Sequence, residues 1–521
     1  MGELKDQGHP EGIQISGSLI ARNAVLNLIG QALPLLVAVI AMPFVVRGLG
    51  TERFGLLSLA WVVMGYFTIF DLGLGRATTK FVAEALGKGE GGRVSQIIWT
   101  TVTVQAIMGA IGALALFELT DQLVNGILNI PNELLDEARF TFHLLALGIP
   151  VVMITSSFSG VLEAAQRFDL INAVKIPTSI LTYLLPLVGL FMGLVLPGIV
   201  ALILLARLGA LIAFVAMNLS IHPELREYSA SSNLLAPLFS YGGWISISNI
   251  IGPFLVYLDR FLIGSILTIS AVAYYTAPYE AVTRLWIISS SLTMTLFPVF
   301  SILEGGENKR QGILLSRSVK YILLTTGVAV VVICLFAGEI LQIWLGADFV
   351  TESTMVLQLL ALGVLINSLA YAPFALLQGI GRPDLPAKFH LIELPFYIVV
   401  VWLLVSHFGI NGAAAAWTLR VGLDTLLLFW ATFKVCNLSL RILEANGAIL
   451  AGFSLAVLAG AAYGMKTIAA DLSVYSQFLI MMLLLILFAW IVWDRILDGS
   501  DRGVILKMMT LKSGVGGCND R

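Results

Sequence analysis

Apolar residues in this chain run together for about twenty positions, break at a short charged or Gly/Pro-rich stretch, and resume. A run of that length crosses a bilayer core as a helix. About fourteen such runs lie near 19–46, 54–75, 95–117, 140–165, 172–194, 197–221, 238–264, 272–302, 316–338, 353–379, 387–407, 411–435, 446–466 and 474–494. The tightest break is "GLVLPGIV", where Pro197 and Gly198 must turn the chain in very few residues. The pattern predicts an all-α polytopic membrane protein with about 14 transmembrane helices.

Composition agrees. Of 521 residues, 58% are hydrophobic and 12% charged, about half the charged share of a soluble domain. A net charge of −2 and the lack of any basic tract leave no footprint for nucleic acid. The position of the 30 Lys and Arg residues sets the orientation. With the N-terminus inside, inner segments hold Lys5, Arg22, Arg167, Lys175, Arg226, Arg382, Lys388, Lys434 and Arg441. The clusters in 76–93 and 309–320 and the tail from Arg495 join them. Only Arg47, Arg53, Arg139, Arg260 and Lys466 fall outside, so both termini are expected in the cytoplasm. The first apolar run is too long for a signal-peptide core and should remain as a span.

Several chemistries lack their residues. There is no GxxxxGK[ST] phosphate loop, no HExxH and no His/Cys spacing for a metal, so no cofactor is expected. The longest outer loop, about 118–139, is acidic and long enough for one short surface helix, but not for a catalytic domain. Transport is the remaining class, with a proton or sodium as a candidate coupling ion.

The chain also repeats itself at a period of about 215–222 residues. Asn27 precedes Gly30 as Asn249 precedes Gly252; "QRFDL" (Arg167, Asp169) matches "GRPDL" (Arg382, Asp384); "ARLGAL" (Arg207) matches "LRVGLD" (Arg420). The order is the same in both halves. Six helices per copy is an even number, so the copies run in parallel through the membrane. The expected division is an N-terminal segment 1–18, an N-lobe 19–221, a linker 222–237, a C-lobe 238–435, two added helices in 446–494 and a tail 495–521. Transporters built from such repeats bind substrate between their halves.

Charges inside the runs are the candidate chemistry, because each costs about 2.5–3.5 kcal/mol at the bilayer centre and needs water or a partner. Glu280, Arg284, Ser291 and Thr295 share one helical face; so do Arg420 and Asp424; so do Asn23, Asn27 and Gln31; and Thr68 and Asp71 lie close to one face. Two readings stand. Glu280–Arg284 and Arg420–Asp424 have the spacing of structural ion pairs, and Asp259 with Arg260 suits a snorkelling helix end. Alternatively Arg284, Arg420 and Arg207 line a wet cationic cleft, whose forks match phosphate oxygens two at a time. The acids Asp71, Asp259, Glu280 and Asp424 would then balance the field or carry the coupling ion. His390 and Glu393 read as interfacial anchors, with Glu393 a further ion-coupling candidate; Tyr274 and Tyr275 read as aromatic-belt residues.

"RNAVLNLIGQALPLLVAVIAMPFVVRGLGTERFGLLSLAW" followed by "FDLGLGRATTKFVAEAL" resembles the opening of Wzx-type oligosaccharide flippases. "YGGWISISNIIGPFLVYLDRFLIG" with "AYYTAPYEAVTRLWIISSSLTMTLFP" is similar to the start of their second lobe. That family sits in a superfamily with multidrug and toxic-compound extrusion transporters and lipid II flippases. The resemblance implies two six-helix lobes in a V shape plus two C-terminal helices. It implies a bacterial inner-membrane protein moving polyprenyl-diphosphate-linked oligosaccharide, with polysaccharide assembly proteins as candidate partners. Asp259 and Arg284 match charged lumen positions, with Arg420 a third; Arg260, Arg207, Asn27 and Asn249 complete the candidate substrate-binding set. The alternatives are a drug/cation antiporter, disfavoured because span one carries no acid; a lipid II flippase, which would want more basic residues in the first lobe; and a membrane-embedded enzyme, which would need a catalytic outer loop.

Overall fold

The computed structural model describes residues 17–70, 74–291, 308–469, 471–499 and 501–502; the side chains of 17–32, 68–70, 239–250, 253 and 308 fall outside the description. Every regular element among these residues is helical. The first half holds α1 (Gly17–Phe70), α2 (Leu74–Gly87), α3 (Gly91–Gln122), α4 (Leu135–Ala164), α5 (Phe168–Phe191), α6 (Leu196–Ile221), α7 (Leu235–Ile266) and α8 (Ile269–Thr283). The second holds α9 (Asn308–Ile322), α10 (Val328–Leu335), α11 (Ala337–Trp344), α12 (Ala347–Gly379), α13 (Asp384–Val435), α14 (Arg441–Ala445), α15 (Ala448–Ile468) and α16 (Val474–Ile491).

Ten stretches among the described residues are long and apolar enough to span a membrane. α1, with 54 residues, and α13, with 52, are each too long for one crossing of about 20 residues. Each breaks at a glycine: Gly50 at φ 75° and Gly409 at φ 59°, inside the gaps expected between 46 and 54 and between 407 and 411. A residue without Cβ takes these angles without steric cost. Beyond Gly409 the chain doubles back so closely that a Cβ on Gly412 would lie 1.9 Å from the Leu404 carbonyl oxygen. Gly412→Ala should therefore cost about 1–3 kcal/mol or more, read as a lower Tm of the purified protein in detergent. The short break at Pro197 is also present: α5 ends at Phe191, Gly193 turns at φ 71°, and Pro197 sits in the first turn of α6, where its missing N–H is not needed.

One expectation fails. Segment 118–139 forms no separate surface helix. α3 runs on to Gln122, a π turn covers Leu123–Ile127, and Asn132–Leu134 leads straight into α4. The acids that suggested a solvated helix are used at helix ends: Asp136 and Glu137 occupy the first turn of α4, facing its positive dipole end. Arg139 bonds Asp121 at 2.7 Å, and Arg53 bonds Glu137 at 2.7 Å.

The repeat is visible as local geometry. Arg167 forks onto Asp169 at 3.0 Å through Nε, and Arg382 forks onto Asp384 at 2.9 Å through the same atom. The residue before each arginine has positive φ, 57° at Gln166 and 75° at Gly381. α5 and α13 thus begin with the same turn.

Packing separates two units, residues 1–281 with 390–416, and residues 282–389 with 417–521. The first is built on α3 against α4, α1 against α5 and α4 against α6, and α7 joins it through α1 and α2. Its centre includes Val94, Ile98, Phe158, Val161 and Phe214. In the second, α12 packs with α9 to α11, and α15 packs with α9, α10 and α16. Lys466 of α15 pairs with Glu339 of α11. Asp501, after α16, is buried and takes bonds from Lys320 and Tyr321 at 2.5 Å each, clasping the tail to α9. Burial alone would push the Asp501 carboxyl up; those two donors hold it below the usual carboxylate range. Outward, Ile40, Leu147, Phe191, Ile212, Phe453 and Leu479 are more than half exposed, an apolar surface that suits hydrocarbon and not water.

Candidate functional site

α7 is apolar enough that Asp259 and Arg260, 0% and 1% exposed, must find partners inside the protein. The Tyr275 hydroxyl of α8 donates to Asp259 Oδ2 at 2.5 Å, and the backbone N–H of Arg260 donates to Oδ1 at 2.8 Å. Arg260 donates from Nη1 to the Val256 carbonyl at 2.9 Å, and its Nη2 lies 3.8 Å from Glu280 Oε1. Its guanidinium stacks over the Tyr279 ring at 4.1 Å and stands 5.4 Å from that of Tyr257. The tyrosine edges and faces do for this cation what water does at a surface. Tyr397, on the part of α13 that belongs to the same unit, is fully buried within electrostatic reach of Tyr275, and Glu393 is buried one turn before it.

This arrangement corrects three expectations. Asp259 and Arg260 do not snorkel to an interface, because the tyrosines of α7 and α8 form a polar pocket around them. Tyr275 is not a belt residue: its hydroxyl is spent on Asp259, with 0% of the side chain exposed. Glu393 is not an interfacial anchor but is wholly buried. Glu280, whose spacing suggested Arg284, lies 3.8 Å from Arg260. The sequence reading missed Tyr279 and Tyr397. The four-residue spacing of Tyr275 and Tyr279 just before Glu280 was a usable signal, since it stacks two rings (centroids 6.0 Å apart) on one face.

Arg284 and Arg420 fall in the second unit. α8 stops at Thr283, Arg284 and Leu285 form a turn, and helix resumes over 286–291. The continuous face from Glu280 to Ser291 expected from spacing is therefore interrupted, and Thr295 lies outside the described residues. The turn is held by Trp286, whose ring packs on Trp417 at 6.2 Å. Trp417 stands three residues before Arg420 on α13, where Arg420 and Asp424 are 8% and 5% exposed.

Arg207 lines a cavity between α4, α5 and α6 that Lys175 also lines. Asn27 and Asn249 lie on α1 and α7 with side chains outside the description, and Asp71 is outside the described residues altogether.

A family model described as polysaccharide biosynthesis protein matches residues 20–304. The chain belongs to that family. The putative O-antigen transporter of Shigella flexneri is 30% identical over 421 residues, covering 80% of this chain and 99% of the relative. The probable low-salt glycan biosynthesis flippase Agl15 of Haloferax volcanii is 26% identical, covering 87% and 91%. Among solved structures, the lipid II flippase MurJ in an inward closed conformation superposes with a TM-score of 0.68 at 13% identity, over 91% of this chain and 99% of that one. An inward-facing multidrug resistance transporter of the MATE family does so with a TM-score of 0.67 at 16% identity, over 80% and 98%. At these identities the structures establish the fold alone. This polysaccharide biosynthesis protein is thus an integral multi-pass membrane protein of the O-antigen transporter and flippase family, with a MATE-like helical fold.

Proposed function

We propose that the chain is a flippase that carries a polyprenyl-diphosphate-linked oligosaccharide across the bacterial inner membrane by alternating access between two six-helix lobes. The observation that supports this reading is the contact of Trp286, two residues after Arg284, with Trp417, three residues before Arg420, in a chain of this family. Two forked cations match a diphosphate, while the sugars would meet polar side chains such as Asn27 and Asn249 and the polyprenyl tail would stay in lipid. The headgroup enters from the cytoplasmic face, where both termini lie.

A proton or sodium gradient drives the cycle in this proposal. The buried acids Asp259, Glu393 and Asp424, with Glu280, are the groups that would take up the ion, and Asp71 is a further candidate from sequence. A proton on Asp259 would turn an acceptor of two hydrogen bonds into a donor, forcing Tyr275 or the Arg260 N–H to find another partner. That makes α7 and α8 the elements to respond to the gradient.

The test is reconstitution. Purified protein goes into liposomes with a fluorescent polyprenyl-diphosphate oligosaccharide, and headgroup accessibility to an impermeant quencher is followed with and without a pH or sodium gradient. Protein-dependent crossing, faster with one gradient, is the expected result. No crossing with glycans of several lengths would sink the proposal and move the assignment to cation antiport.

A further inference from the structure

α4, α5 and α6 enclose a cavity of about 140 Å³ lined by Thr155, Lys175, Thr178, Ser179 and Arg207, with apolar side chains completing the wall. No carboxylate lines it. Arg207 Nε is buried without a hydrogen bond, and neither Arg207 nor Lys175 has an ion-pair or hydrogen-bond partner among the described residues. Arg207 is half-buried and Lys175 is exposed. Thr155 and Thr178 already donate to their own helices, at 2.6 Å to Val151 O and 2.8 Å to Val174 O, which leaves Ser179 as the hydroxyl donor to spare.

The internal repeat sharpens the point. Arg420, the counterpart of Arg207, has Asp424 four residues on; four residues after Arg207 stands Leu211. One copy of the motif carries its counter-charge on the next turn and the other lacks it. A guanidinium within an apolar span, with no protein acid to balance it, calls for an anion from outside the chain.

We propose that this cavity is a binding site for a lipid-borne phosphate, held by the Arg207 fork, the Lys175 ammonium and the Ser179 hydroxyl. Lys175 lies seven residues into α5, about 10 Å at helical rise, on the side of the membrane marked by Arg167. Arg207 lies deeper. A phosphate arriving from the headgroup layer on that side meets Lys175 at the exposed mouth and Arg207 at the floor. Arg207 presents two parallel N–H groups to two phosphate oxygens, and Lys175 supplies a mobile point charge. The phosphate belongs either to a bilayer phospholipid or to a polyprenyl-linked glycan. The site stands in the first packing unit alone and does not depend on the flippase reading, because its occupancy can be measured without transport.

Binding is read by native mass spectrometry of the full chain in a neutral, phosphate-free glycoside detergent. Phosphatidylglycerol and polyprenyl diphosphate are titrated separately, with inorganic pyrophosphate as competitor. We expect one tightly held lipid per chain, displaced by pyrophosphate. Arg207→Gln and Lys175→Gln should each weaken it about tenfold or more, the loss of a charge-assisted contact. Leu211→Asp, which restores the acid at the repeat position while leaving Arg207 in place, should weaken it equally, and Leu211→Ala should not. Retention of phosphatidylglycerol alone assigns the site to the bilayer; retention of polyprenyl diphosphate assigns it to the substrate; either sustains it. Absence of both adducts on the wild type, or equal affinity across the four variants, overturns it. Should Arg207→Gln fail to elute as folded protein, Leu211→Asp and Lys175→Gln carry the decision.

Discussion

Arg284→Ala should reduce glycan translocation to the protein-free background while the variant still reaches the membrane at the wild-type level. The residue sits in a turn between two helical stretches, so truncating it removes no helix-interior packing and the fold should survive. On the proposed function, what is lost is a fork onto the diphosphate. Two hydrogen bonds to a charged group are worth roughly 3–6 kcal/mol together, a hundredfold or more in rate if they persist at the barrier. Arg284→Lys should recover only part, since a point charge replaces a planar pair of donors. The liposome quenching rate, with immunoblotted membrane fractions as control, decides it. A normal rate in Arg284→Ala would remove the residue from the site.

Asp259→Ala should act at an earlier stage, on folding. Arg260 is 1% exposed, and without Asp259 its remaining charge partner is Glu280 at 3.8 Å. The Tyr275 hydroxyl would also be left with no acceptor in a site with no solvent. Breaking a buried ion pair from one side costs about 3–5 kcal/mol, a large share of a stability near 5–15 kcal/mol. We expect a depleted membrane fraction and a sharply lower Tm in detergent. Asp259→Asn keeps the shape and one acceptor oxygen, so it should fold better than alanine while still impairing transport if Asp259 carries the coupling proton. Equal stability of wild type and Asp259→Ala would mean that Tyr279, Tyr257 and Glu280 suffice for Arg260.

These two arginines also mark how much of the site was legible. That both matter was readable from hydropathy, because a charge in an apolar run needs a reason. Their partners were not readable. Spacing offered Glu280 to Arg284 and left Arg260 to the interface; the fold stacks Arg260 on Tyr279, sets it 3.8 Å from Glu280, and ends α8 before Arg284. Helical periodicity reports neighbours three and four residues away on one helix. It is silent about a hydroxyl sixteen residues off on the next helix, such as that of Tyr275. Glu393 failed for the same reason: its place near the end of an apolar run resembled an anchor, but it is fully buried.

By itself the sequence determined the solvent, the helical class, the breaks between 46 and 54, at Pro197–Gly198 and between 407 and 411, and the duplicated motif at Arg167 and Arg382. All of these rest on local terms, namely apolar run length against bilayer thickness and the backbone angles that glycine permits. Tertiary structure alone decided which charges are neutralised. Asp259 accepts from Tyr275 of the next helix and Arg260 has Asp259, Glu280 and the Tyr279 ring as charge partners, whereas Arg207 and Lys175 face a cavity with no acid. Whether a buried charge is paired depends on what stands within about 4 Å of it in three dimensions, and residues that meet at that distance here are up to scores of positions apart along the chain.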